Sequence, residues 1–593
     1  MKSHAPADHA DNITRIGGSL NGTVSWVAVQ DHIPKGYVIT EKGVFLDKND
    51  PEFISGPCWV SSITRSSNGS EWGLVVHWID QDGNEQKHAF PARQLGESRS
   101  PLVPNLMSMG LKVVPGKEKR LITYLGSFDL PEDFRLRSVS QLGWIENHGN
   151  PLFILPNNPI GIGGDSVVFQ PEEHSPTTNT MHAQGTLSQW QVHVAEPCLG
   201  NPILLFSLCT ALAGSLLKYS GLDCGGFHLY GGSSKGKTTS LQVGASVWGC
   251  GSDPAVSDES HICRWNTTGN ALEATAAAHN DGFLSLDEMG TCDARDFGKV
   301  IYDLFGGKGK SRLNKSSILQ PQRTWRIMGL STGEISVLQK IEEDSGRKAK
   351  TGQLIRLIDV PIQDGVVHDY HGNQPGKFVN QLKKACGTYF GTAGPAFLGN
   401  LIKTEMDITA LKHSIQTKVE GWEKDIVDKA NLENHQQRVL KRFAVVGAAG
   451  ELAADFGILP FTKDDIYAAV TTVRDAWLGD DNNQPDAIRG LIAVRDFMQR
   501  EESRFRDAHY QDGRVRDLVG YSDKGRGLHL FTDQGFKEAV RGFNYKHVLA
   551  ELDRRGYLMK NDSERLKSRH QINGLGRIRL YAIKDDIFND ECL

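Results

Sequence analysis

Gly231-Gly232-Ser233-Ser234-Lys235-Gly236-Lys237-Thr238 decides how this chain is read. The run before it, Phe227-His228-Leu229-Tyr230, is short, apolar and strand-like, and Thr238 to Val247 has the texture of a helix. A glycine-rich loop between strand and helix is a phosphate cradle, because its backbone N–H groups converge on an anion at the helix N-terminus. Gly231, Gly232, Ser233, Ser234, Lys235 and Gly236 form the cradle. Lys237 reaches the β- and γ-phosphates, Thr238 offers its hydroxyl to Mg²⁺, and Thr239 follows as a further nucleotide contact. The ligands this predicts are ATP and Mg²⁺.

About fifty residues on, Gly282-Phe283-Leu284-Ser285-Leu286 is an apolar strand that ends in Asp287-Glu288. In a phosphate-loop protein the first carboxylate, Asp287, holds Mg²⁺ through water. The second, Glu288, orients or deprotonates the attacking water. The pair favours hydrolysis over phosphoryl transfer to a small molecule. The next strand, Trp325 to Leu330, ends at Ser331-Thr332-Gly333-Glu334. Either Ser331 or Thr332 is placed to sense the γ-phosphate, and either also suits a helix cap.

Arg356 precedes the apolar run Leu357 to Pro361. It is a candidate arginine finger for a neighbouring subunit's ATP, or a surface arginine paired with Asp359. Between the acidic strand and the sensor strand lies Gly306-Gly307-Lys308-Gly309-Lys310-Ser311-Arg312-Leu313-Asn314-Lys315. Lys308, Lys310, Arg312 and Lys315 make it a candidate nucleic-acid loop, the alternative being a solvated basic turn.

Around this centre the 593 residues call for about three or four domains. The expected order is a flexible tail (1–22), a β-rich domain (23–186), an α/β phosphate-loop core with a parallel sheet (187–365), a helical lid (366–478) and a winged-helix-like domain (486–593). The last rests on a helix from Tyr545 to Arg555 and a ribbon turning at Gly574-Leu575-Gly576, with Lys560, Arg565, Lys567, Arg569, Arg577 and Arg579 nearby. Such modules dock proteins as well as DNA.

The net charge of −5 rules out a uniformly basic surface, so any nucleic-acid contact is local. No apolar run reaches the roughly 18–20 residues that cross a bilayer, and no signal-peptide core follows Met1. The expectation is a cytoplasmic protein with no membrane contact. Nine scattered cysteines without a Cys-x-x-Cys pair argue against zinc and against a disulfide framework.

Several further blocks carry a resemblance. They are Trp265-Asn266-Thr267-Thr268-Gly269-Asn270-Ala271-Leu272-Glu273, Lys308 to Arg312, Gly352-Gln353-Leu354-Ile355-Arg356, Arg442-Phe443-Ala444 and Ala448 to Ala453. With the motifs above, they resemble the AAA+ ATPases of bacterial mobile elements and phage satellites, a family long catalogued as a domain of unknown function. Many members go by the label of superfamily II helicases and inactivated derivatives. Some are similar to minichromosome-maintenance replicative helicases. The resemblance implies a hexameric ring moving on single-stranded or forked DNA to replicate a mobile element. It implies that the 306–315 loop is the pore hairpin, that Arg356 is the finger, and that Arg438 or Arg442 is a second phosphate sensor. A Ser/Thr sensor departs from the Asn common in such ATPases. The N-terminal domain lacks the zinc cluster of the minichromosome-maintenance proteins. An ATP-gated scaffold or sensor without unwinding activity is the other reading.

Overall fold

The structure is a computed structural model. It describes residues 25–171, 180–293, 296–311, 322–345, 350–405, 407–427, 434–480, 486–510, 516–561 and 565–589. The chain divides into two compact units, whose described parts are 25–140 with 163–171, and 141–162 with 180–589.

The first unit is β-rich, as its alternating apolar runs predict. Strands Cys58–Arg65, Gly73–Ile79 and Glu85–Pro91 form an antiparallel meander. Its second turn is built by Asp80, whose Oδ1 accepts the N–H groups of Asp82 and Asn84, and by Gly83 at φ 85°. Strands Arg135–Val139 and Val167–Phe169 extend that sheet, and Tyr37–Thr40, Gly43–Leu46 and Glu52–Ser55 make a second one. The sequence reading did not foresee helices Leu102–Ser108 and Glu118–Gly126, which close the core over Trp59 and Trp78.

The second unit holds the glycine-rich loop 231–238. Its sheet has five parallel strands: β1 (Gly225–Tyr230), β2 (Cys263–Arg264), β3 (Gly282–Asp287), β4 (Ile327–Gly333) and β5 (Leu357–Pro361). The order is β2-β3-β4-β1-β5. Parallel strands put all their C-terminal ends on one edge, so the loop after β1 and the acids ending β3 meet there. Buried on both faces, β1 and β4 read as near-continuous runs rather than alternations.

Helix α1 (Pro202–Ala213) packs behind the sheet with almost every side chain buried. The helical run Pro202–Ser220 does reach a bilayer-spanning length of 19 residues, contrary to the expectation from sequence. It is 89% buried within the core, which is what makes it apolar all round. The antiparallel pair Gly143–Asn147 and Asn150–Ile154 looked like more of the N-terminal β domain, but it belongs to this unit. Trp144 donates from Nε1 to the Ser215 carbonyl at 2.7 Å and from its backbone to buried Asp281 at 3.0 Å.

After α2 (Lys237–Ala245), α3 (Gly269–Ala278) and α4 (Phe297–Leu304) come the helices of residues 366–478. The last three are α5 (Ile408–Ile426), α6 (Asn434–Asp455) and α7 (Lys463–Leu478), with Thr462 and Asp465 forming a capping box at the start of α7. The apolar face of α6 lies on α1 and α5. The C-terminal segment contains helices Asp486–Arg500, Asp533–Ala539 and Tyr545–Arg554 against a small sheet that ends in the hairpin Ser568–Ile572 and Gly576–Lys584. Among the described residues the cysteines are all free, and no cluster of three metal-ligating side chains occurs.

Candidate active site

The loop 231–238 takes the shape its glycines permit. Gly231 has φ 149°, and a Cβ there would stand 2.6 Å from the Ile362 carbonyl oxygen. Gly236 has φ 83° and caps α2, and a Cβ there would meet Val366. Ser234 holds φ 62° without being glycine, a cost tolerated where the loop must curl. Lys237 Nζ donates to the carbonyls of Gly231 and Gly232 at 2.8 and 2.7 Å. Burial lowers its pKa, opposed by the carboxylates of Glu334 and Asp287 and assisted by Lys235. Thr239 lies buried behind the loop, and its hydroxyl has no hydrogen-bond partner among the described residues.

Ser233, Ser234, Lys237 and Thr238 line one cavity of about 400 Å³ with Asp287, Glu288, Thr332 and Glu334. Asp287 Oδ1 accepts from the Thr332 hydroxyl and, at 3.0 Å, from the Glu288 N–H. Its Oδ2 has no donor among the described residues. Glu288 sits in the left-handed region at φ 57° and is exposed to the cavity. A non-glycine residue held there costs about 1–3 kcal/mol, and such strain gathers at functional sites. Hard oxygen donors on Thr238 and Asp287, beside a phosphate cradle, suit Mg²⁺, which takes one or two carboxylates with substrate phosphates.

The two sensor candidates separate. Thr332 faces the cavity. Ser331 points to the other side of β4, where its Oγ meets His228 Nδ1 at 2.9 Å and accepts from Trp265 Nε1 at 2.8 Å. His228 also contacts the Ile335 carbonyl at 3.0 Å, and burial pushes its pKa down to about 4. Ser331 is thus a core hydrogen-bonding residue, and of the two candidates only Thr332 lines the cavity. Glu334, which the sequence reading left without a role, lines the cavity two residues beyond Thr332.

The arginines lie elsewhere. Arg442 is buried and donates to the carbonyls of Ile355 and Cys224, the residues before Arg356 and β1. That is the N-terminal edge of the sheet, about 20 Å from the phosphate loop at 3.3 Å per residue of β1. Burial, with Arg438 nearby, lowers its pKa to about 10. Arg442 therefore holds strand ends together and cannot touch a phosphate in this loop. Arg356 lies at the same edge, with its guanidinium 4.0 Å from the Tyr302 ring centre and a bond to the Gly352 carbonyl. It does not pair with Asp359, which accepts instead from the N–H groups of Val337 and Leu338. Arg438, one turn before Arg442, is exposed.

The basic loop starts as a hairpin. Gly309 N–H bonds to the Arg323 carbonyl, Trp325 N–H bonds to the Gly307 carbonyl, and Lys308 pairs with Thr324. Lys308 and Lys310 are exposed. Lys310 lies 3.5 Å from both Glu273 on α3 and Asp303 on α4. Arg312 and Lys315 lie outside the described residues.

The family described as "Domain of unknown function (DUF927)" matches residues 37–324. The solved structure described as "SCCmec type IV Cch - active helicase" aligns over 93% of this chain and 98% of its own, with a TM-score of 0.64 at 18% identity. The two chains share a fold across nearly their whole lengths. The apo A form of the NrS-1 C-terminal region aligns over 66% of this chain and 87% of its own, with a TM-score of 0.26 at 8% identity. No curated protein matches the sequence.

Proposed function

We propose that this chain is an ATP-hydrolysing AAA+ protein of a mobile genetic element that forms a ring, translocates on DNA and unwinds it. The observation that carries the reading is the convergence of Lys237, Thr238, Asp287, Glu288 and Thr332 on one cavity at the C-terminal edge of a sheet ordered β2-β3-β4-β1-β5. The shared fold with the Cch helicase supports the same reading.

In this proposal Lys237 and the loop N–H groups bind the phosphates, and the Glu288 carboxylate takes the proton of the attacking water. Thr332 keeps the Asp287 carboxylate in one orientation. Thr238 and Asp287 would hold Mg²⁺, which when bound neutralises phosphate charge. Arg356 lies at the edge of the sheet away from its own loop, and exposed Arg438 is one helical turn from Arg442 at that edge, so both serve a site as residues lent to a neighbouring subunit. The hairpin bearing Lys308 and Lys310, with Arg312 and Lys315 beyond, is the segment offered to a DNA backbone.

The test is ATP turnover with and without single-stranded DNA, followed by unwinding of a forked duplex. Stimulation by DNA, lost in a Lys310→Ala, Arg312→Ala variant, is expected. DNA-independent turnover without unwinding refutes the motor. Normal turnover in Lys237→Ala refutes the site itself. A strict monomer at micromolar protein with an ATP analogue removes the roles of Arg356 and Arg438.

A further inference from the structure

In the C-terminal hairpin, strand Ser568–Ile572 alternates buried and exposed residues, and the half of Gly576–Lys584 that pairs with it exposes Arg577 and Arg579. Ser568, His570, Ile572 and Leu580 point inward, Ile572 and Leu580 joining a small core with Tyr521, Leu530 and Ala582. The other face exposes Arg569, Gln571, Arg577 and Arg579. In register, Arg569 stands directly opposite Arg579 and Gln571 opposite Arg577. Like charges facing each other across a strand pair repel, so folding alone does not favour this arrangement.

Several other cations of the segment are paired with acids. Arg504 pairs with Glu501 and Glu538, Arg554 and Arg555 with Glu551, Lys560 with Asp553, and Lys567 with Asp533. Arg569, Arg577 and Arg579 form no ion pair among the described residues. At the turn between the strands Leu575 is 54% exposed.

We infer that this face is a second nucleic-acid surface, separate from the segment bearing Lys308 and Lys310, and that it grips the phosphate backbone of duplex DNA. Three guanidinium groups without acids, on a stiff ribbon, complement a row of phosphates. Arg577 and Arg579 are two residues apart on one strand, about 6.8 Å. Along the helix axis one DNA strand advances about 3.4 Å per phosphate, so two steps span a comparable distance. The exposed strand positions carry no aromatic ring on which unpaired bases would stack, which favours duplex over single strand. The surface extends the helicase proposal by giving the protein a hold on the duplex that ATP hydrolysis does not drive. It does not depend on the assignment of the phosphate site.

The experiment measures binding of the full chain, without nucleotide, to a labelled blunt duplex of about thirty base pairs, across 50–200 mM salt. The variant is Arg569→Gln, Arg577→Gln, Arg579→Gln. At about 0.9 per phosphate contact, the slope of log K against log salt should flatten by about 2.7. Over that salt range the parent then loses about fortyfold more affinity than the variant. Arg577→Gln alone should flatten it by about 0.9, a readout that survives if the triple variant fails to fold. Unchanged affinity and slope in the folded variants overturn the proposal. A Lys308→Ala, Lys310→Ala protein is measured beside them. Loss of duplex binding there, with none from the arginine changes, overturns the second surface and leaves the motor standing. A normal slope change from the arginines, with no DNA effect on ATP turnover, keeps the surface and removes the motor.

Discussion

Replacing Thr332 by Val and, separately, Ser331 by Ala asks whether adjacent hydroxyls on β4 do different work. The Thr332 hydroxyl donates to Asp287 Oδ1, leaving only the Glu288 N–H on that oxygen once it is removed. A hydrogen bond to a charged group contributes about 1.5–3 kcal/mol. Val keeps the shape of Thr, so the loss falls on the orientation of the carboxylate rather than on packing. At about 1.36 kcal/mol per decade, turnover should fall about 10- to 150-fold. The same lost bond should lower the thermal midpoint by roughly 3–12 °C. Ser331→Ala should cost stability without the loss of turnover. It strips Trp265 Nε1 and His228 Nδ1 of a shared partner in a buried site. An unsatisfied buried group costs about 1–3 kcal/mol, equivalent to roughly 2–12 °C in a domain of this size. Turnover per folded molecule should stay within about twofold of the parent. Steady-state ATP hydrolysis read against thermal midpoints decides it. A Thr332→Val enzyme with parental turnover, or a Ser331→Ala enzyme that is stable but slow, refutes the division of labour.

Glu288→Gln should bind ATP yet turn it over at least about 100-fold more slowly, since the amide cannot take a proton. Binding and single-turnover measurements show whether ATP is trapped, and normal turnover removes Glu288 from the chemistry. Stability should peak near pH 6.5. Burial lowers His228 and His279 to about 4 and holds His261 well below its usual value. Their contribution is complete above about pH 6.5 and is lost as pH falls toward 4, by up to about 1.4 kcal/mol per unit for each. Burial raises Asp359 to about 8, so its share has the opposite sign and is lost as pH rises toward 8. Denaturant unfolding at pH 5, 6.5 and 8 checks both limbs, and a flat acid limb contradicts the histidine assignment. Gly225→Ala should destabilise the core by about 3 kcal/mol or more, because a Cβ there falls 1.9 Å from Arg442 Nε and displaces a buried guanidinium. Parental thermal stability would contradict the packing at that edge.

The 231–238 loop and the acids ending β3, which the structure brings to one cavity, stand out in the sequence because the pattern that marks them is local. Residue types at fixed spacing, between a strand and a helix, define them without knowledge of the rest of the fold. Thr332 was not separable from Ser331, because a strand turns alternate residues to opposite faces and only the register says which face meets the cavity. Arg438 and Arg442 lie one helical turn apart and looked equivalent. The packing of α6 on α1, not the spacing, sends Arg442 to the wrong edge of the sheet for its own phosphates. The 143–154 hairpin has the same alternation as the N-terminal strands. Its membership is decided by Trp144, whose bonds to Ser215 and Asp281 span more than seventy and more than a hundred residues and leave no local trace.

The last residue before the loop is tied to a distant part of the chain. The Tyr230 hydroxyl donates to Asp480 Oδ2 at 2.6 Å, and Asp480 lies just past the end of α7. A natural place to cut the core free of the C-terminal segment is Leu478, where the helix stops. That cut discards Asp480 and, with it, the hydrogen bond to Tyr230. A fragment that extends past residue 480 keeps the tie. Two truncations differing by a handful of residues thus differ in what holds the residue that leads into the 231–238 loop.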